Sequence, residues 1–283
     1  MKKEELSENP LHGLWALTNR ELKKWYKEPF ILLISIIQPI IWMALFGKAM
    51  NISAVFTRNL PQGLPPELSE QIMKQTFGTS DYFSFMAVGM LSFVTLFTTM
   101  FSGMSIVWDR RLGFLNKVLS TPVARSTIIF SKILSATVRS LIQASIVLVF
   151  AFLLGMKAGP SFTPISILGV YAILFMLCMG LSSLFLMIGI RSTRWETQMA
   201  VVNLLNLPLM FTSNALFPVS MMPDWLQPIA NVNPITYTTD AVRQLLLYET
   251  NFNQLMLDFA YTAVFTIVIA SISIILAWRY LSK

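Results

Sequence analysis

The sequence predicts an all-α integral membrane protein with six transmembrane helices. Of its 283 residues, 55% are hydrophobic and only 12% are charged, and the mean hydropathy is +0.63. Soluble domains contain about 25% charged residues, so the composition alone favours a membrane protein. The apolar residues also fall into runs of roughly 20, the length that a helix needs to cross a bilayer. An N-terminal amphipathic interfacial helix and a re-entrant helical hairpin before the last span complete the predicted fold.

Residues 11–28 (LHGLWALTNRELKKWYKE) predict the interfacial helix. Leucine and aromatic side chains recur at roughly helical spacing, while arginine and lysine cover the other faces. A helix with this pattern lies in the membrane–water boundary, with its rings at the level of the lipid headgroups. The alternative is a simple basic flank of the first span.

The predicted spans are apolar runs that are separated by polar segments. They cover residues 29–50, 82–107, 128–155, 164–190, 197–217 and 257–278. Proline removes a backbone donor and obstructs the preceding helical turn. We therefore expect Pro39 to kink the first span and Pro208 to bend the fifth.

Arg139 interrupts the third predicted span. An arginine at the bilayer centre costs about 2.5–3.5 kcal/mol on insertion scales, and two arrangements reduce that cost. In the first, Arg139 lies about two turns from the cytoplasmic face and extends its side chain towards the interface. In the second, it pairs with a membrane-embedded carboxylate or with the amides of Asn203 and Asn206.

The second span carries a row of hydroxyl side chains at spacings of three and four residues, which places them on one helical face. The row comprises Ser92, Thr95, Thr99 and Ser102. Small polar residues of this kind either pack against a neighbouring helix or line a pathway. Both functions are combined if the helix borders a subunit interface that opens.

The fifth span carries Asn203, Asn206 and Ser213. A buried amide in hydrocarbon needs a hydrogen-bonding partner, so this face should contact protein or water. It either borders a pathway or a dimer contact, or it packs against other helices of the same chain.

Residues 218–247 are apolar, yet four prolines between 218 and 234 exclude one straight helix. We expect two short helices, at about 224–230 and 234–247, with Asp224 and Asn233 as N-caps and Pro234 at the first helical position. Broken backbone is tolerated at membrane depth only where protein or water satisfies it. The segment is therefore interpreted as a re-entrant or interfacial hairpin at the external mouth of the bundle, with a surface loop as the alternative.

The basic residues indicate the orientation of the chain. With both termini inside, the inner segments contain fifteen lysines and arginines, the outer segments contain five, and Arg139 lies within a span. This asymmetry follows the positive-inside rule, and it places residues 108–125 (WDRRLGFLNKVLSTPVAR) in the cytoplasm. Membrane orientation explains the net charge of +7 more simply than a nucleic-acid partner does.

Known catalytic and nucleotide-binding motifs are missing from the sequence. It contains no G-x-x-x-x-G-K-[ST] phosphate loop, and no H-E-x-x-H, C-x-x-C or G-x-S-x-G pattern. Cys178 and His12 are the only residues of their types, so we predict no catalytic, cofactor or metal site. The predicted spans also lack the clustered carboxylates of a proton relay. The energy for any transport must then come from a separate nucleotide-binding subunit.

Two motifs at the hairpin carry a family resemblance. F-P-V-S-x-x-P-x-W-L-Q begins at Phe217, and N-P-I-T-Y-x-x-D-A-V-R begins at Asn233. Together they resemble the signature near the C-terminus of ABC type-2 transport permeases, the membrane subunits of ATP-driven exporters, and the drug-exporter branch is most similar. Residues 108–125 resemble the cytoplasmic coupling segment of these permeases, with Gly113-Phe114 where Gly-Thr is commoner. The resemblance implies a single transmembrane domain over residues 1–283.

The resemblance and the sequence patterns together assign three groups of candidate residues. Contacts that couple the chain to an ATPase are expected at Glu21, Trp25, Asp109, Arg110, Arg111, Phe114 and Leu115. The pathway or dimer interface is expected at Ser92, Thr95, Thr99, Ser102, Asn203, Asn206 and Ser213. The external hairpin is expected to depend on Pro218, Trp225, Asn233, Pro234, Tyr237, Asp240 and Arg243.

The resulting hypothesis is a permease subunit of an ABC exporter in the cell membrane, with both termini cytoplasmic. It would form a dimer with a second copy or a paralogue, contact membrane lipid, and use ATP that is bound by partner ATPase subunits. The aromatic and methionine content (Phe 21, Met 17) suits apolar or amphipathic substrates such as drugs or lipids. The alternatives are an ATP-independent secondary transporter or channel, and a membrane-embedded enzyme or assembly factor.

Overall fold

The computed structural model describes residues 10–49, 66–121 and 123–281, and every regular element within them is helical. The α-helices in chain order are α1 (Pro10–Tyr26), α2 (Pro29–Trp42), α3 (Pro66–Phe77), α4 (Tyr82–Arg111), α5 (Phe114–Leu119), α6 (Arg125–Leu153), α7 (Pro164–Arg191), α8 (Trp195–Phe211), α9 (Gln227–Ala230), α10 (Pro234–Leu246) and α11 (Phe252–Leu281). A π-helical turn, Met43–Ala49, continues α2, and a 3₁₀ turn, Val219–Met221, precedes α9. The predicted all-α fold is confirmed for these residues.

Four helical stretches within the described residues are long and apolar enough to cross a membrane. They are Gln71–Arg111, Arg125–Leu153, Pro164–Arg191 and Phe252–Tyr280. They contain the second, fourth and sixth predicted spans, and they cover the third, 128–155, as far as Leu153. The first predicted span corresponds to a shorter apolar helix, Leu33–Lys48, and the helix of the fifth ends early.

The helix of the fifth predicted span, 197–217, ends at Phe211, before the predicted end of the span. The backbone N–H of Thr212 bonds to the carbonyl of Pro208 and closes the last turn. Pro208 lies inside α8, and the chain continues in turns rather than in a helix. A proline weakens the helix locally, which is consistent with an end within one turn of it.

The helix α4 lies at the centre of the bundle and packs against α6, α7, α8 and α10. In the most apolar 18 residues of the stretch that contains α4, 89% of the residues are buried. In the most apolar 18 residues of α11, only 11% are buried. The apolar side chains of α11 therefore lie mostly on the outside of the bundle, where a membrane would surround them.

The helices α4 and α7 meet at backbone contact. A Cβ atom on Gly189 would lie 2.3 Å from the carbonyl oxygen of Gly103, and one on Gly103 would lie 2.1 Å from that of Phe185. Ser102 adds a hydrogen bond from its hydroxyl to the Ser182 carbonyl at 3.1 Å. Small residues allow this approach, which is a common way for membrane helices to associate.

The hydroxyl row of the second span is fully buried within the chain. Ser92 accepts a hydrogen bond from Thr239 of α10 at 2.8 Å, and Ser102 bonds to α7. Thr95 and Thr99 donate to carbonyls one turn earlier in α4. Within the single chain, all four side chains are therefore buried among packed helices. A role in a pathway or a dimer interface stays a prediction.

We expect Gly189→Ala to destabilise the protein by about 1–3 kcal/mol, since the added methyl overpacks a backbone contact. The measurement is the thermal unfolding midpoint of the purified protein in detergent. Gly13→Ala in α1 is the matched control, because its Cβ would lie 3.6 Å from the nearest Val123 methyl, an ordinary contact. An unchanged midpoint for Gly189→Ala would contradict the close packing.

Candidate functional site: a buried ion cluster below an apolar cavity

One end of the bundle contains the C-terminal end of α4, the short helix α5 and the N-terminal end of α6. The helix α1 packs beside them on α6. We call this the basic end. Lys24, Arg110, Arg111, Lys117 and Arg125 lie here, and so do most of the residues predicted to couple the chain to an ATPase. Residues 218–247, the predicted hairpin, lie at the opposite end.

Two carboxylates and one lysine of the basic end are almost completely buried: Glu21 of α1, Asp109 of α4 and Lys132 of α6. The Lys132 Nζ atom lies 2.6 Å from Asp109 Oδ2 and 3.5 Å from Glu21 Oε1. It also donates to the Ser105 hydroxyl at 3.1 Å. Three helices that are distant in the sequence thus share one charged contact.

Arg20 and Lys24 complete this group, which we call the ion cluster. The Arg20 guanidinium contacts Glu21 at 2.8 Å and Asp109 at 3.3 Å. The Lys24 ammonium contacts the same two carboxylates at 3.3 and 3.0 Å. A buried carboxylate is stable only when it is paired and hydrogen-bonded, and here three cations surround two anions.

Arg20 also connects α1 to α5. Its guanidinium carbon lies 3.2 Å from the centre of the Phe114 ring, a cation–π contact. Gly113, directly before Phe114, has φ +71°, a left-handed conformation that suits glycine and allows α5 to turn away from α4. Phe114 stands where the family commonly has threonine, and the structure assigns it this stacking contact.

Arg110 and Arg111 differ in their surroundings although both were predicted to contact an ATPase. Arg110 donates from Nη1 to the Ser192 carbonyl and from Nη2 to the Ile190 carbonyl, both at 2.8 Å. It therefore fastens the end of α4 to the end of α7 and satisfies carbonyls that the helix terminus leaves open. Arg111 and Leu112 are exposed, whereas Leu115 is buried in an apolar cluster that also contains Ile106 and Ile129.

A cavity of about 940 Å³ extends from the ion cluster into the bundle. Glu21, Lys24 and Asp109 line its mouth, and α2, α4 and α6 form much of its wall. Its apolar lining is mostly aromatic or methionine: Trp25, Trp42, Met90, Phe93, Phe97, Met100, Phe101, Met104, Trp108 and Trp195. Of these lining residues, only Trp25 belongs to the sites predicted from the sequence.

Few polar groups lie deeper in the cavity. Gln143 of α6 accepts from the Thr98 hydroxyl and donates to the Ser35 hydroxyl, which joins α6 to α4 and α2. Arg139, one turn before Gln143, donates from Nε to the Ser135 carbonyl at 3.2 Å. That bond directs the side chain towards the basic end, although its Nη2 atom is buried; the snorkelling interpretation stays a prediction. The structure gives Arg139 no hydrogen bond to Asn203 or Asn206 within the described residues.

The hairpin is fastened to the rest of the bundle by its polar residues. Asn233 caps α10 by accepting the Ile235 N–H at 3.0 Å, as predicted, and its amide donates to the Leu209 carbonyl at 2.7 Å. Asp240 accepts from the Asn214 amide at 2.6 Å. Each contact links α10 to the region around the end of α8, where the backbone leaves the helix.

Arg243 is the largest fully buried side chain among the described residues. Its Nη2 donates to the carbonyls of Ala215 at 2.9 Å and Phe85 at 3.2 Å, and its guanidinium stacks over the Phe85 ring at 3.4 Å. Burial raises the pKa of Asp240, while the charge of Arg243 opposes that shift. The guanidinium thus fixes α10 against α4 and against the turn after α8.

The first half of the hairpin departs from the prediction. The helix α9 begins at Gln227 with Leu226 at its N-cap, so the prediction of an Asp224 N-cap is wrong. Pro223 accepts the N–H groups of Leu226 and Gln227, and this turn replaces the expected first helical turn. Trp225 is 70% exposed.

The remaining hairpin residues have simple structural roles. Pro218 precedes the 3₁₀ turn, and Pro234 is the first residue of α10. Tyr237 stacks on Tyr261 of α11 with ring centres 3.9 Å apart, and its hydroxyl donates to the Asn231 carbonyl. These contacts close the outer side of the hairpin against the last helix.

The polar residues of α8 do not share one environment. Asn203 is exposed, whereas Asn206 is buried and its Oδ1 atom has no hydrogen-bonding partner within the described residues. Ser213 is buried and donates to the Met210 carbonyl at 2.7 Å, a local bond after the helix end. Only Asn203 therefore presents its side chain on the outer surface of the chain.

The sequence patterns did not identify the cationic partners of the buried carboxylates. Lys132 entered the sequence argument only as a contributor to the positive-inside count, and Arg20 and Lys24 only as the polar face of α1. The pairing joins residues that are 111 positions apart in the case of Lys132 and Glu21. A lysine just inside an apolar run was the one available signal, since such a residue needs a partner.

The fold and the basic end define a multi-pass membrane protein in which three helices are joined by buried charges at one end. Comparison with known proteins gives the family. Residues 12–247 match the ABC-2 type transporter family, and the chain belongs to that family. It is a transmembrane subunit of the ABC-transporter class.

Relatives support the same assignment. The chain is 30% identical over 236 residues to a putative transport permease, ycf38, of Cyanophora paradoxa, which covers 83% of this chain and 74% of the relative. It is 23% identical over 168 residues to the daunorubicin resistance ABC transporter permease protein DrrB1 of Streptomyces coeruleorubidus, 59% of each chain. It is 26% identical over 205 residues to a probable multidrug ABC transporter permease, YbhR, of Escherichia coli K12, 70% of this chain and 54% of the relative.

Lys132→Met should destabilise the protein by about 3–5 kcal/mol, the usual effect of removing one partner from a buried ion pair. Asp109 and Glu21 would keep only Arg20 and Lys24, which are partly exposed. The measurement is the unfolding midpoint in detergent. The double variant Lys132→Met/Asp109→Leu should recover part of the loss, because it also removes the buried carboxylate that has lost its shortest ion-pair contact.

Lys117→Met is the matched control for this experiment. Lys117 is exposed on α5, so its removal should shift the midpoint little. Equal midpoints for Lys117→Met and Lys132→Met would show that the ion cluster does not stabilise the fold.

Asn233→Ala should reduce the stability of the hairpin by about 1–2 kcal/mol, since it removes a helix cap together with the bonds to Leu209 and Thr212. Protection of the α10 amides against hydrogen exchange is the measurement. Asn251→Ala is the control, because Asn251 makes similar but exposed bonds at the start of α11. Equal effects of the two substitutions would contradict a structural role for the buried amide.

Proposed function

We propose that this chain is the permease subunit of an ATP-driven exporter of apolar or amphipathic compounds, such as drugs or lipids. It pairs with a second permease copy or a paralogue and binds two ATPase subunits at its basic end. ATP binds to those partners, and no cofactor of its own is needed. Relatives named as drug-resistance and multidrug ABC permeases support the substrate class.

The observation that carries the proposal is the position of the ion cluster. It joins α1, α4 and α6, and Arg20 connects it to α5 through Phe114. The same carboxylates line the mouth of the 940 Å³ cavity. A movement imposed on α1 and α5 from below is thereby transmitted to the helices that form the cavity wall, as a rigid-body displacement.

The exposed residues of the basic end supply a docking surface for an ATPase. Leu112 is 72% exposed beside Arg111, and Lys117 is exposed on α5. On α1, Trp15 is 64% exposed. The predicted coupling role therefore passes to these exposed groups, while Glu21, Asp109 and Arg110 hold the segment in shape.

We further propose six crossings of the cell membrane with both termini cytoplasmic. The four long helices make four of these crossings. The helix α2 with its π-helical continuation makes the first. The helix α8, with the turn up to 217, is the fifth. The hairpin 218–247 enters the external side, where the exposed Trp225 contacts lipid headgroups, as is common for tryptophan at the interface.

The exposed apolar side chains of α8 support a second permease copy as a neighbour. Leu204 is 72% exposed, Leu207 is 55% exposed and Phe211 is 56% exposed, and Asn203 lies on the same side of the helix. An exposed amide in a lipid-facing position is unfavourable, whereas a helix of a partner subunit can bond to it. The fifth span therefore belongs to the proposed dimer interface.

The experiment measures ATP hydrolysis by the purified permease–ATPase complex with and without an amphipathic substrate. Phe114→Ala removes the ring under Arg20 and should reduce the substrate-stimulated rate to the unstimulated rate, while the complex still assembles. Phe252→Ala is the matched control, since Phe252 is 75% exposed at the start of α11, away from the basic end. Full stimulation of Phe114→Ala would refute the coupling role.

Transport into vesicles separates the remaining alternatives. Permease reconstituted without the ATPase should not accumulate solute, and addition of the ATPase with ATP should restore accumulation. If the isolated chain moves solute unaided, the secondary-transporter or channel alternative applies and the exporter proposal fails.

A further inference from the structure

Among the described residues, Arg139 is the cation that lines the cavity outside the ion cluster, and the carboxylate of Glu28 lines it as well. The Arg139 Nε atom bonds to the Ser135 carbonyl, but its Nη2 atom is buried and has no acceptor within the described residues. No carboxylate of the described residues lies within ion-pair distance of it, since the ion pairs found there involve Arg20, Lys24 and Lys132. A buried donor without a partner is unfavourable by about 1–3 kcal/mol, and more when it is charged.

The cations of the ion cluster and Arg110 have acceptors. Lys132, Lys24 and Arg20 share Glu21 and Asp109, and Arg110 is bonded to two backbone carbonyls. Glu21 and Asp109 are thus already paired, and Glu28, the other carboxylate that lines the cavity, does not lie within ion-pair distance of Arg139. Arg139 therefore leaves a positive charge inside a cavity whose other walls are mainly apolar.

The surroundings of Arg139 suit the headgroup of a ligand rather than a whole polar molecule. Gln143 lies one turn deeper and is bonded to Thr98 and Ser35. Beyond it the lining consists of rings and thioethers, including Trp42, Met90 and Phe93. The Trp195 Nε1 atom, elsewhere in the lining, is a second buried donor without an acceptor in the described residues.

We propose that Arg139 binds the anionic headgroup of an amphiphile whose apolar tail lies along the aromatic and methionine side chains of the cavity. This inference rests on the proposed function of the cavity as the substrate pathway. The ligand is a carboxylate or phosphate with a long apolar group. A guanidinium is suited to it because its planar donors bind two oxygens of such a headgroup together.

The structure favours an anion over water at this site. Water satisfies a donor but does not neutralise a charge, and the cost of an unpaired charge rises as its surroundings become apolar. An anionic oxygen satisfies the Nη2 donor and balances the charge together. Cationic amphiphiles of the same length would meet repulsion from Arg139 and gain no hydrogen bond.

The test uses the full chain in phosphatidylcholine nanodiscs and two probes of equal length, bromine-tailed dodecanoate and a bromine-tailed dodecyl trimethylammonium. Bromine quenches tryptophan fluorescence, and four of the seven tryptophans line the cavity. Arg139→Gln should weaken dodecanoate binding about tenfold or more, the loss expected for one charge-assisted hydrogen bond. Arg139→Lys keeps the charge but not the planar pair of donors, so it should lose less affinity than Arg139→Gln.

Lys157→Gln is the matched control, because it removes one exposed cation at the opposite end. It should leave dodecanoate binding unchanged, and Arg139→Gln should leave binding of the trimethylammonium probe unchanged. Equal dodecanoate affinity in the original protein and Arg139→Gln overturns the inference. So does an equal loss for both probes, which would mean that the substitution only deforms the cavity.

A second arm distinguishes the source of the anion. Phosphatidylglycerol in the disc should displace dodecanoate if the natural ligand is a lipid headgroup, and dodecyl phosphate added from solution should displace it in either case. Failure of dodecyl phosphate to compete overturns the inference.

Measurement of ATP-dependent transport tests the proposed function separately. Transport that is indifferent to the charge of the amphiphile and to Arg139→Gln refutes the anion site and leaves the exporter intact. Anion binding that depends on Arg139 without any ATP-dependent transport refutes the exporter and leaves the site intact.

Discussion

Burial of charge governs the basic end of this protein. Glu21 and Asp109 are removed from water by the packing of α1, α4 and α6, and the effective penalty for each buried ion is several kcal/mol unless it is paired. Lys132 supplies the pairing from a position that is itself 3% exposed. Separation of α1 from α4 and α6 would break the contacts of Asp109 with Arg20 and Lys24 and that of Glu21 with Lys132, so the three helices are more stable together than apart. In the proposed function, the cluster is the joint that transmits displacement.

The opposite end meets a related constraint with different groups. The chain after α8 and before α10 is irregular, and irregular backbone near lipid must find partners within the protein. Asn233 and Arg243 provide donors for the carbonyls of Leu209, Ala215 and Phe85. Neutral amides and one stacked guanidinium therefore hold the hairpin, whereas ion pairs hold the basic end. The ion cluster can consequently transmit motion at one end while the hairpin keeps its geometry at the other.

Sequence reasoning succeeded where a property is local. Hydropathy and length located the four long helices, and the pair Asn233-Pro234 gave the start of α10, because a cap and the following proline act within one turn. It failed where distant contacts decide. The end of α8 at Phe211 and the start of α9 at Gln227 are turns that hydropathy does not resolve. The partners of Glu21 and Asp109, and the acceptors of Arg110, are set by helices that meet only in the folded chain.

The central helix α4 separates two kinds of surface, and this division bears on selectivity. The hydroxyl face of α4 packs against α7 and α10, to which Ser102 and Ser92 form hydrogen bonds. Its other face, which includes Phe97 and Met104, lines the cavity. Thr98 and Ser105 of α4 also line the cavity, but both are bonded to side chains of α6, and Met and aromatic surfaces accept varied shapes. In the proposed function, discrimination among substrates therefore falls to the few polar groups that line the cavity, and charge at the headgroup would matter more than the form of the apolar tail.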